Sequence, residues 1–242
     1  AVVVTTPGAR RLYLERYPQL PATRFRIIAN GIDDSLDVPP SRGERASTAP
    51  IVLVHSGLME IPDRDPTAFF DAIAQMRSRG DIPGNALRVV LRATGHDERY
   101  RQQIAALDIG DIVSVEGRVS HTDAIEEMRR ADGLVLFQGA QCNRQIPAKA
   151  YEYLACRRPI IGLLAATGDT HDLIARQWQV PYVANMDSAS AIADTLGRFI
   201  NDLRRNHAFI PEESLIKEHS RAAGAGHLAK LFDELSGGTA HA

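Results

Sequence analysis

The feature that most constrains this chain is its strict alternation of short apolar, β-rich runs with longer amphipathic ones. Ile51–His55 (IVLVH) reads as a buried strand. Asp65-Pro66 then opens a helix to about Arg79, with Asp as a cap and Pro at the first helical position. Phe69, Ile73 and Met76 give that helix one inward face. Leu87–Arg92 is the next strand, followed by a helix over about Glu98–Leu107 and a third strand, Ile112–Glu116. Ser120 and Asp123 have capping-box spacing and begin a helix to about Ala131. Strands follow at Leu134–Phe137, Pro159–Leu164 and Val180–Val183, separated by helices near Ala148–Cys156 and Asp169–Trp178. Two last helices are expected near Ser188–Arg205 and Glu212–Leu235.

Such alternation implies an α/β fold, a Rossmann-like parallel sheet with helices on both faces. These sheets bind ligands outside the carboxyl ends of their strands. Topology alone therefore assigns function to the loops after His55, Arg92, Glu116, Phe137 and Leu164. The start of the chain does not join this pattern. Ala1–Thr5 reads as a strand, Ala9–Tyr17 as a helix and Arg26–Ala29 as a strand, before a polar, Pro-containing linker from Asp37 to Pro50. This opening reads as the end of a preceding domain. The first residue is not Met and so reads as a boundary rather than a natural start.

Composition removes several function classes. A formal net charge of -2 gives no global attraction to nucleic acid or to an anionic membrane. Two cysteines, Cys142 and Cys156, are too few for a disulfide framework and read as reduced thiols in a cytoplasmic protein. No apolar run has the length of a membrane span, and no signal peptide is visible. There is no G-x-G-x-x-G after the first strand of the alternation, no G-x-S-x-G elbow and no Walker A loop.

Two loops carry possible chemistry. After Ile51–His55 comes Ser56-Gly57-Leu58-Met59-Glu60-Ile61-Pro62-Asp63-Arg64. Gly57 permits close approach of backbone to a ligand, and Arg64, just before a helix start, suits a diphosphate. The second is Pro147–Ala155, where Lys149 and Glu152 are three apart near a helix start. A Lys there opposes the helix dipole unless an anion is present, and a Glu there can accept two sugar hydroxyls. A plain surface Lys–Glu pair fits the same spacing, but the position at the sheet's carboxyl edge favours a site. Asp63-Arg64-Asp65 spells D-x-D, read as a cap and loop rather than a metal site. His55, His96, His121 and His171 lack metal-ligand spacing and read as caps or surface residues.

Taken together, these segments resemble retaining GT-B glycosyltransferases of the group 1 or family 4 type. Ile27–Asp33 (IIANGID) is similar to the segment joining that family's two Rossmann-like domains, with Ala29 in place of the usual Pro. His55-Ser56-Gly57 resembles the loop that opens the donor domain, and Arg64-Asp65-Pro66 stands where an Arg and then Lys-Gly are common; the Lys is absent. Val115–Val119 (VEGRV) resembles the loop that contacts the nucleotide base. Ile146–Ala155 (IPAKAYEYLA), followed by Arg158-Pro159-Ile160, is the most specific match. Glu152 matches the second Glu of the family's E-x7-E motif, while Arg144 occupies the place of the first.

The resemblance implies the C-terminal half of a GT-B fold: residues 1–40 as the tail of an N-terminal domain with the interdomain linker, and residues 41–242 as the donor-binding domain. It implies donor-binding roles for Gly57, Arg64, Val119, Lys149 and Glu152, with a nucleoside-diphosphate sugar as substrate. It implies no cofactor and no metal, a saccharide or lipid-linked acceptor held by the N-terminal domain, and catalytic residues on that domain. The protein would be cytoplasmic, with peripheral contact at the inner membrane face open to the full-length protein. No nucleic-acid partner is expected, and this chain alone should be catalytically silent. Two other readings stand beside this one: a GT-B-fold epimerase or phosphorylase-like enzyme, and a non-catalytic nucleotide-binding module.

Overall fold

The computed structural model describes residues 1–33, 49–83 and 85–237. The expected linker Asp37–Pro50 lies outside the described residues apart from Ala49 and Pro50. The main body is a six-stranded, wholly parallel sheet. Its strands are β3 (Ile51–Ser56), β4 (Leu87–Arg92), β5 (Val113–Glu116), β6 (Gly133–Gln138), β7 (Ile160–Leu164) and β8 (Val183–Asn185). They lie side by side in the order β5-β4-β3-β6-β7-β8. Chain order thus runs outward from β3 to β5, returns to the centre at β6 and runs outward again. That is the doubly wound arrangement, with its switch point between β3 and β6.

Helices cover both faces. The connecting helices are α2 (Thr67–Ser78), α3 (Asp97–Ala106), α4 (His121–Arg130) and α5 (Ala148–Cys156). After β7 comes a short α6 (Asp169–His171) that continues as a π-helical turn, Asp172–Gln177, and after β8 comes α7 (Ala189–Arg204). α2 packs against α3 and α7, while α4 packs against α5. Central strands buried on both sides need unbroken apolar runs, and β6 (GLVLFQ) is buried at every position. Phe137 stands at the middle of this core, with Phe69 of α2 edge-on to its ring at 5.5 Å.

Helix starts follow local chemistry. The Ser120 hydroxyl accepts from Asp123 N–H and caps α4, and Ser188 caps α7 through Ala191 N–H. The Asp65 carboxylate accepts from Thr67 N–H at 3.0 Å, so α2 begins two residues after it, with Pro66 as the cap residue rather than the first helical one.

Three expectations need correction. The last strand is Val183–Asn185, not Val180–Val183, because Val180 and Tyr182 turn into the core ahead of the ladder. The Asp169–Trp178 helix is α only for its first turn and then widens to π geometry. The single helix expected over Glu212–Leu235 is two, α8 (Ser214–Glu218) and α9 (Arg221–Gly237). The break is a tertiary effect. Ile32 N–H donates to His219 C=O at 2.7 Å and Arg221 N–H donates to Ile32 C=O at 2.9 Å, so the chain opens to pair with the N-terminal segment. The His219 ring packs on Tyr151 and Trp178 and accepts from the Trp178 indole N–H at 3.1 Å.

The N-terminal segment forms its own two-stranded parallel ladder, β1 (Val2–Val4) with β2 (Phe25–Ile27), joined by α1 (Pro7–Arg16). It docks on the carboxyl side of the main sheet. Gly8 N–H donates to the buried Asp169 carboxylate at 2.6 Å, Arg11 reaches the same group at 3.2 Å, and Thr6 Oγ1 donates to Arg144 C=O at 2.7 Å.

Candidate functional site

In doubly wound sheets ligands bind in the crevice outside the carboxyl ends of the strands at the switch point, which here lies between the loops leaving β3 and β6. On the β3 side, Gly57 has φ +114°, a conformation side chains rarely adopt. The loop after it is tied to the neighbouring connection: Gly57 N–H donates to Arg92 C=O and Met59 N–H to Thr94 C=O, both at 2.9 Å. Tyr100 Oη donates to Met59 C=O at 2.8 Å. On the β6 side, Gly139 N–H donates to Asp63 C=O at 2.6 Å, which brings the two loops into backbone contact. A Cβ on Gly139 would lie 2.8 Å from that oxygen.

Charged side chains converge on this crevice. Arg64 Nε donates to Gln138 Oε1 at 3.2 Å, and Gln138, the last residue of β6, is buried. Lys149, in the first turn of α5, reaches across to β3: its Nζ lies 3.1 Å from His55 Nε2 and 3.5 Å from Leu58 C=O. A Cβ on Gly57 would come within 2.9 Å of Nζ, so only glycine leaves the lysine its place. Tyr153, one turn on from Lys149, accepts from Ser56 N–H at 3.1 Å, so α5 is pinned to the end of β3 twice. The first turn of α5 carries no capping side chain and no acidic residue; Ala150 N–H donates to Pro147 C=O at 3.0 Å, which leaves the N–H groups of Ala148 and Lys149 open toward an anion. Glu152 faces the β5–α4 loop, with His121 Nε2 3.7 Å from its carboxylate.

Burial and like charge set the proton affinities here. Burial, then the neighbouring Arg64, lowers the Lys149 ammonium to about 7, with Glu152 opposing. Burial, then Lys149, holds the His55 imidazole well below the usual histidine range. Burial pushes the Cys142 and Cys156 thiols up, to about 11 and about 12, so neither is a nucleophile at neutral pH.

Of the five residues picked from the sequence, Gly57, Arg64 and Lys149 meet in one place, and Glu152 lies one helical turn further along α5. Val119 is 38% exposed on the loop two residues before His121. That loop is shaped by Arg92, which pairs with Glu127 and donates from Nη1 to Gly117 C=O at 2.7 Å.

His55 was expected as a cap or surface residue; it is fully buried and belongs to the cluster. Its signal was present, since it is the polar residue that breaks the apolar run Ile51–Val54 at the ligand-facing edge. Gln138 ends β6 in the same way. Asp63 and Asp65 do not act together: Asp65 holds Thr67 N–H, and Asp63 meets Gly139 through its carbonyl. Arg144, in the place of the family's first Glu, lies 3.8 Å from Glu15 of α1.

This architecture and crevice define a class, the Rossmann-like half of a GT-B fold. No protein-family model and no curated protein matches the sequence. Similarity to solved structures is extensive, and those structures are GT-B glycosyltransferases. The sucrose-phosphate synthase of Thermosynechococcus elongatus aligns over 98% of this chain and 59% of its own, with TM-score 0.70 and 19% identity. A G117R mutant of S. aureus TarM, in complex with fondaparinux, α-GlcNAc-glycerol and UDP, aligns over 96% of this chain and 44% of its own, with TM-score 0.69 and 12% identity. The lipopolysaccharide outer core galactosyltransferase WaaB, in its apo form, covers 96% of this chain and 61% of its own, with TM-score 0.65 and 13% identity. The chain thus spans about half the length of the structures it resembles. It has the fold of their C-terminal, Rossmann-like half.

Proposed function

We propose that this chain binds a nucleoside-diphosphate sugar and serves as the donor half of a glycosyltransferase. The observation that carries the reading is the meeting of Arg64, Lys149 and the Gly57 backbone at the switch point, beside the uncapped start of α5. Two cations, free N–H groups and a glycine that admits close approach form a receptor for a diphosphate without a divalent metal. As the sugar leaves, negative charge grows on the diphosphate, and these fixed groups stabilise it. Glu152 takes the ribose hydroxyls, and the Arg92-braced loop carrying Val119 offers backbone groups to the base.

Glycosyltransferases of the same fold have been solved with UDP, among them the TarM mutant and a pneumococcal O-GlcNAc transferase, which makes UDP the first nucleotide to try. The acceptor, a saccharide or a lipid-linked one, is assigned to a second domain, and with it the catalytic residues. Turnover then needs closure of both domains, and this chain alone transfers no sugar.

The test is calorimetric titration with UDP, GDP and ADP, each with and without Mg²⁺. Saturable binding of one nucleotide without metal is expected. Glu152→Ala should weaken it at least tenfold, roughly the loss of one charge-assisted hydrogen bond. Unchanged affinity would overturn the assignment of Glu152.

The position of Arg144 favours one second reading. Its guanidinium faces Glu15, and position 144 itself supplies no carboxylate to hold a donor sugar, as a nucleotide-binding module without transferase activity would have it. Nucleotide binding combined with indifference to the sugar moiety would select that reading.

A further inference from the structure

His55 has a geometry that a packing residue does not need. Its ring is fully buried, edge-on to Phe137 at 5.1 Å, and both nitrogens have partners. Nδ1 lies 2.9 Å from Val135 C=O. A carbonyl only accepts, so that contact places the ring proton on Nδ1. Nε2 is then a bare lone pair, and Lys149 Nζ stands 3.1 Å from it. The alternative tautomer, with Nε2–H donating to Gly57 C=O at 3.2 Å, would set a second lone pair against Val135 C=O at 2.9 Å and is disfavoured. The surroundings agree with this tautomer: Tyr153 Oη accepts from Ser56 N–H at 3.1 Å and donates to Val135 C=O at 3.3 Å.

We propose that His55 is a positioning residue for Lys149: its unprotonated Nε2 accepts from the lysine ammonium and fixes it against Gly57 at the end of β3. A four-carbon side chain without a fixed partner loses rotamer freedom when it meets an anion. An acceptor at 3.1 Å that is itself held by the β6 backbone imposes that order in advance; with Leu58 C=O at 3.5 Å as a second partner, one N–H donor is left for the ligand. The other charged groups facing the amine are Arg64, which opposes its charge, and Glu152, which favours it. That the ammonium is held for a diphosphate rests on the donor-site reading above; the anchor itself does not.

The experiment reads the lysine directly. The chain has three lysines, Lys149, Lys217 and Lys230, so carbon-13 labelling of lysine Cε leaves three signals to follow through a pH titration. His55→Leu removes the acceptor, His55→Asn keeps the donor to Val135 but falls short of Nζ, and His55→Gln restores an acceptor near the position of Nε2. In Leu and Asn the Lys149 signal should titrate at a pH about one lower than in wild type, and UDP affinity should fall about tenfold at neutral pH. Gln should return both most of the way, and Lys217 and Lys230 should not move. If Lys149 titrates at the same pH in wild type and in every folded variant, His55 is packing and the proposal is wrong. If the lysine responds as expected but not even wild type binds UDP, GDP or ADP, the anchor stands and the donor-site reading is what fails.

Discussion

On the proposed reading, Lys149 combines two demands that a solvated lysine never meets together: it must be charged to hold an anion, and it sits where burial and Arg64 oppose charge. With its pKa lowered to about 7, the lysine would gain proton affinity on binding the proposed diphosphate. Above neutrality binding therefore takes up a proton. Affinity for UDP should be steady below about pH 7 and fall as pH rises toward about 9, with proton uptake visible as a dependence of binding heat on buffer ionisation. A flat profile over that range would remove Lys149 from the site. For stability the sign is opposite. Between about 7 and the ordinary lysine value of 10.5 the unfolded chain holds a proton that the folded one has released, so this group's contribution to stability rises with pH across that window. Gly57 makes a second test. At φ +114° a methyl group is strained and would meet Lys149 Nζ, so Gly57→Ala should cost roughly 1–3 kcal/mol of stability and displace the lysine from its anchor. Chemical denaturation and UDP titration of the same variant separate the two effects.

At the scale of elements, the site is a consequence of how β3 and β6 are buried. Phe137 joins them: it fills the core beneath the crevice, packs against Phe69 of α2 and supports the His55 ring. Phe137→Ala should destabilise the protein by roughly 3–5 kcal/mol in a denaturant titration, because a two-sided sheet cannot collapse onto the cavity. A loss below about 1 kcal/mol would mean that the core repacks there. Most elements could be read from sequence because their signals are local. Ser120 caps α4 where the capping-box spacing put it, and α5 spans Ala148–Cys156 as read. The elements that were misread depend on distant partners: Ile32 splits α8 from α9, and nothing within residues 212–235 announces it.

For the molecule as a whole, two sets of polar contacts, beside the Arg26–Glu234 pair, join the N-terminal segment to the main body. One is the pair of bonds between Ile32 and the α8–α9 break. The other is the buried Asp169 carboxylate, which holds the start of α1 at the rim of the crevice. A bond from a buried N–H to a carboxylate is worth about 1.5–3 kcal/mol, so Asp169→Asn should speed exchange of the Gly8 amide by about tenfold or more while leaving the β6 amides unchanged. Equal protection in the variant would show that Thr6 and the backbone hold α1 without it. Among the described residues no helix is long and apolar enough to cross a membrane.

What the sequence determined by itself was the alternation, and through it the parallel sheet, the edge where such sheets bind ligands, and the glycine, arginine, lysine and glutamate proposed for a site there. Periodicity and capping act over a few residues, so they survive reading one residue at a time. The tertiary structure alone decided which of those groups meet. Arg64 and Lys149 are 85 residues apart and share a crevice only because β3 and β6 are neighbours in the sheet. It also decided protonation: His55 and Lys149 are ordinary bases in an open chain, and burial at the switch point alters both.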